Sequence, residues 1–128
     1  MQEKILIVDD QEGILKFLSI ELSLEGYEII TATRGQEAIV KARDAKPKLI
    51  LMDVMLPDMS GAEAVQKLKH HPSTEHIPVL FLTALMSKFE EERDKHIVVD
   101  EQNYEAIAKP VDHELLLEKV RKALAASN

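Results

Sequence analysis

The feature that most constrains this chain is a set of short, unbroken apolar runs. They are Ile5-Leu6-Ile7-Val8, Leu49-Ile50-Leu51-Met52, Val79-Leu80-Phe81-Leu82 and the weaker Ala106-Ile107-Ala108. A run apolar at every position has no solvent face, so it fits a strand covered on both sides, as in a parallel sheet. Residues 27–33 (YEIITAT) are rich in β-branched side chains and read as a further strand. None of the runs approaches the about 20 apolar residues of a membrane span or the roughly 7–15 of a secretory signal core.

Amphipathic stretches separate the runs. Ile14, Leu15, Leu18 and Leu22 recur at helical spacing, and Gly26 is a natural stop. Ala38, Ile39 and Ala42 form a second stripe before Pro47, and Ala62, Val65 and Leu68 a third before Pro72. Residues 87–97 are charged, with Glu91 and Lys95 spaced for a helical pair, and predict a fourth helix. Asp112 is a candidate N-cap for a last helix buried through Leu116, Val120 and Leu124. Strand then helix, five times over, predicts an α/β fold: a doubly wound, five-stranded parallel sheet with helices on both faces, flavodoxin-like (βα)5. Residues 1–125 are expected to form one domain and 126–128 a short tail.

In such sheets ligands bind beyond the carboxyl ends of the strands. The residues at those ends are Asp9-Asp10, Asp53, Thr83-Ala84 and Lys109-Pro110. Three crowded carboxylates repel unless a cation compensates. Hard oxygen ligands suit Mg²⁺, Lys109 adds a second positive charge, and Thr83 can donate to an anionic oxygen. This is equipment for phosphoryl transfer. The chain carries 23 Asp plus Glu against 16 Lys plus Arg, a net charge of −7, which disfavours nucleic-acid binding. It has no cysteine, which excludes disulfides, thiol catalysis and Cys-ligated zinc. Its 45% hydrophobic and 30% charged composition is that of a globular domain.

The residues ILIVDD (5–10), LILMDVMLPDMSG (49–61), VLFLTA (79–84) and AKPV (108–111) closely resemble the receiver domain of two-component response regulators, of the single-domain chemotaxis type. The resemblance implies that Asp53 accepts a phosphoryl group from a kinase histidine. It implies Mg²⁺ held by Asp10 and Asp53, by the backbone carbonyl of Met55, and by Asp9 through a water. Thr83, Lys109 and the backbone of Ala84 would hold the phosphoryl oxygens. Pro110 would follow a cis peptide, and Pro57 and Gly61 would shape the loop after the third strand. The implied partners are a sensor histidine kinase or phosphotransfer protein and a downstream protein effector, engaged through the face of helix four, strand five and helix five. No nucleic-acid binding and no membrane insertion are expected. The domain is expected to be cytoplasmic, a monomer or weak dimer, and a regulator rather than a turnover enzyme. At 128 residues one domain fills the chain, so its expected output is binding to another molecule.

The stretch between Thr83 and Lys109 departs from the family pattern. It is longer, and VVDEQN (98–103) replaces a Gly-containing segment. The usual aromatic switch position holds Ala106; Tyr104, on the same strand face, is a possible substitute or ordinary packing. The positions that tune dephosphorylation hold Met55 and Leu85, both apolar, which predicts a long-lived phosphoaspartate. Other classes fit less well. A Mg²⁺-dependent phosphohydrolase would want a carboxylate at Met55 as general acid. Gly13, Gly26, Gly35 and Gly61 form no dinucleotide-binding G-x-G-x-x-G. The histidines 70, 71, 76, 96 and 113 lack metal-ligand spacing. A phosphorylation-independent binding module on the same fold is the remaining alternative.

Overall fold

A computed structural model describes residues 2–84 and 96–126. The elements run β1 (Lys4–Val8), α1 (Glu12–Leu24), β2 (Glu28–Ala32), α2 (Gly35–Ala45), β3 (Leu49–Asp53), α3 (Gly61–Lys69), β4 (Val79–Thr83), β5 (His96–Val99), β6 (Gln102–Ala108) and α4 (His113–Ala126). The sheet order is β2-β1-β3-β4-β6-β5. The first five strands in that order are parallel, as the apolar runs predict.

Strand alternation divides each run between two cores. Leu6, Val8, Ile50, Met52 and Phe81 pack with Ile39, Val65 and Leu68 of α2 and α3. Ile5, Ile7, Leu49, Leu51 and Leu82 pack with Leu18 and Leu22 of α1 and Leu116 and Val120 of α4. Burying each such side chain contributes about 1.5–3 kcal/mol, which is why every position of these four-residue runs is apolar.

Helix ends follow local chemistry. Gly26 (φ 96°) lies two residues past Leu24; its N–H bonds to Ser23 O and that of Tyr27 to Leu22 O, the paired bonds of a Schellman stop. The Asp112 carboxylate accepts from Leu115 N at 2.9 Å at the start of α4. No described helix is long and apolar enough to cross a membrane.

The sheet differs from the expected five strands by one. β5 pairs antiparallel with β6 at the sheet edge, with Val99 opposite Gln102 across a two-residue turn. Both turn residues, Asp100 (φ 50°) and Glu101 (φ 68°), are left-handed, as a tight hairpin with the strands' own twist requires. The charged segment expected as a fourth helix lies outside the described residues through position 95, and Ile97, its last residue, is in β5 instead.

Candidate functional site

β1 and β3 are sheet neighbours, and the chain leaves them toward opposite edges of the sheet, so their carboxyl ends frame the switch-point crevice. Asp9 follows β1 and is fully buried; Asp10 beside it is exposed; Asp53 closes β3 and is 7% exposed. Each offers a carboxylate oxygen, and these lie within 4.8 Å of one another. Among the described residues this is the only such grouping of His, Cys, Asp and Glu, so no histidine cluster joins it.

Lys109 reaches in from the end of β6, whose last residue pairs with Thr83. The Lys109 N–H donates to Thr83 O at 2.8 Å, and the Lys109–Pro110 peptide is cis. Its ammonium lies 2.7 Å from Asp9 Oδ2 and 3.5 Å from Asp53 Oδ2, with the lysine side chain 8% exposed. The Asp9 contact is close in distance but lacks hydrogen-bond alignment, so Asp9 Oδ2 is buried with a charge partner and no hydrogen bond. Among the described residues, Asp9 and Asp53 face the Lys109 ammonium, and Asp10 adds a third carboxylate to the cluster. A buried acceptor left in that state favours a further cation, and all the donors are hard oxygens, so the residues fit Mg²⁺.

The electrostatics fall on Asp53. Burial and the Asp9 charge push its pKa up to about 6, against the pull of Lys109 and of the Met55 N–H. The carboxylate therefore stays charged at neutral pH but at a cost, which is what a second cation would relieve.

The loop after β3 is held at both ends by backbone bonds. Val54 N donates to Leu82 O, and Gly61 N to Val54 O at 2.7 Å. Any Cβ at Gly61 would sit 2.2 Å from the Asp53 carbonyl oxygen, so only glycine fits against the strand end. Pro57 is exposed in the same loop, and Met55 is 64% exposed at the mouth of the cleft. Ala84 lines that cleft, about 270 Å³, with Asp53, Met55 and Lys109. Leu85 lies outside the described residues.

Tyr104 stands away from this site. It shares Ala106's core face, with its ring edge-on to Phe81 at 5.8 Å between centroids and its hydroxyl donating to Gln102 Oε1. Ala106 pairs with Phe81 and Ala108 with Thr83, so Tyr104 is four residues, about 13 Å of strand, from the Thr83 level.

Two contributors escape sequence reasoning. The Asp58 carboxylate accepts from Gly35 N (2.8 Å) and Gln36 N (3.0 Å), tying the loop after β3 to the start of α2. Gln11 Oε1 accepts from the Lys109 ammonium at 3.0 Å. Both contacts join residues more than 20 positions apart, and neither belongs to a local pattern.

Comparison with known proteins agrees with this geometry. The family model for the response regulator receiver domain matches residues 5–121. The polar-differentiation response regulator DivK of Brucella anthropi is 36% identical over 125 residues, covering 97% of this chain and 98% of DivK. The response regulator PleD of Caulobacter vibrioides is 37% identical over 121 residues, 94% of this chain; the chain spans only 26% of PleD's length. The structure of chemotaxis protein CheY4 of Vibrio cholerae superposes with a TM-score of 0.81 at 31% identity, covering 97% of this chain and 100% of that one. The strand-end residues, the doubly wound sheet and these likenesses converge on one conclusion: the chain belongs to the response regulator receiver domain family.

Proposed function

We propose that this domain is the phosphoacceptor of a two-component phosphorelay, taking a phosphoryl group onto Asp53. The observation that carries the reading is the convergence of the Asp9, Asp10 and Asp53 carboxylates within 4.8 Å, with the Lys109 ammonium 2.7 and 3.5 Å from two of them. In the transfer, an Asp53 oxygen forms the bond to phosphorus. The bond from phosphorus to the donor's imidazole nitrogen breaks, and that nitrogen keeps the electron pair. Asp10 and Asp53, the Met55 carbonyl, and Asp9 through a water are the groups that would hold Mg²⁺, which when bound neutralises charge on the phosphoryl group. Lys109, Thr83 and the Ala84 N–H take the phosphoryl oxygens. The added charge of about −1.5 to −2 then biases an existing conformational equilibrium toward the partner-binding state.

A sensor histidine kinase or phosphotransfer protein is the donor, and a protein effector reads the face around β6 and α4. Met55 offers a water only a thioether, a weak acceptor, so the phosphoaspartate is long-lived. The test is incubation with Mg²⁺ and acetyl phosphate, followed by intact-protein mass. Wild type gains one phosphoryl group and Asp53→Asn gains none; equal labelling of both overturns the reading.

A further inference from the structure

One polar side chain in the cleft has no part in the transfer just described. Gln11 stands directly before α1, where a side chain ordinarily caps the helix, yet it makes no side-chain cap bond. Its backbone N–H donates to Asp9 Oδ1 at 2.9 Å, and its Oε1 accepts from Lys109 Nζ at 3.0 Å. One residue therefore touches both members of the buried ion pair.

An ammonium has three hydrogens to place. Around Lys109 Nζ stand Asp9 Oδ2 at 2.7 Å, Gln11 Oε1 at 3.0 Å and Asp53 Oδ2 at 3.5 Å. The Asp9 contact is a charge contact without hydrogen-bond alignment, and the Asp53 distance is too long for a good hydrogen bond. The neutral amide oxygen thus lies nearer the cation than the Asp53 carboxylate oxygen does, although charge alone would favour the carboxylate. Asp9 and Gln11, both from the connection between β1 and α1, together draw the ammonium to their side of the crevice.

We propose that Gln11 is a positioning residue for Lys109. Its amide carbonyl keeps the ammonium off Asp53, so the carboxylate oxygen approaches phosphorus without a strong hydrogen bond to break. This rests on Asp53 being the phosphoacceptor. Neutrality matters to the role: the amide competes for the cation without adding a fourth negative charge to the crevice. It also gives the ammonium up readily, and Lys109 passes to a phosphoryl oxygen once that anion is in place.

The test compares the full chain with Gln11→Met, which keeps length and removes the acceptor. With acetyl phosphate at saturating Mg²⁺, the phosphorylation rate constant of Gln11→Met falls about 10- to 150-fold, the share of one charge-assisted hydrogen bond. The route through Lys109 is read separately by NMR without phosphodonor. The Lys109 ¹³Cε resonance, assigned by its loss in Lys109→Met, shifts in Gln11→Met while the other lysine resonances hold. A rate equal to wild type, or an unmoved Lys109 resonance, overturns the proposal and leaves the phosphoacceptor reading intact. Absence of labelling in wild type overturns both.

Discussion

Asp53 shows how much of the site is set by one residue's surroundings. Its folded-state pKa is about 6 against an ordinary 3.8. Between those values the folded protein binds more protons at this group than the unfolded chain does. Without metal, stability must therefore fall as pH rises from about 4 to about 6, with a ceiling of roughly 3 kcal/mol. Urea unfolding in chelator across that window should show the fall in wild type and not in Asp53→Asn; parallel profiles would contradict it. Gly61 is constrained by space alone. Gly61→Ala places a Cβ 2.2 Å from the Asp53 carbonyl oxygen, and the backbone at the strand end must shift. The expected loss is about 1–3 kcal/mol, read as a lower urea midpoint.

The elements were legible where local chemistry decided them. Leu18 and Leu22 fall on α1's buried stripe, Gly26 stops that helix, and Asp112 caps α4, each as its spacing predicts. The β5–β6 hairpin was not legible. Its turn residues, Asp100 and Glu101, both adopt positive φ; Asp suits the first position of such a turn, but Glu101 stands where Gly ordinarily marks it in sequence. What compensates is tertiary: Val99 is buried on the α3 side, and Gln66 of α3 donates to Asp100 Oδ1 at 3.0 Å. A non-glycine residue in this region costs about 1–2 kcal/mol. Glu101→Gly should therefore raise stability by about 0.5–1 kcal/mol, measured as a higher urea midpoint; a lower midpoint would show that the Glu101 side chain supports the turn.

At the scale of the whole molecule, a doubly wound sheet brings Asp9, Asp10, Asp53 and Lys109 from three strand ends into one crevice, with Thr83 at the end of the adjoining strand. Asp9, Asp10, Asp53, Thr83 and Lys109 were legible because each ends a run whose burial on both faces identifies it as a parallel strand. Gln11 and Asp58 were not, since their partners lie on other elements and only the folded chain brings them together. The net charge of −7 is likewise divided by the fold: three carboxylates converge at the crevice, while others lie on exposed helix faces. The central claim is that the nucleophile in that crevice is Asp53. It is tested most directly by phosphorylating the protein with acetyl phosphate and Mg²⁺, reducing with borohydride, and mapping the peptides. Borohydride converts an aspartyl phosphate to homoserine. Homoserine at position 53 alone is the expected result, and homoserine at Asp9 or Asp10, or at no aspartate, would contradict the account.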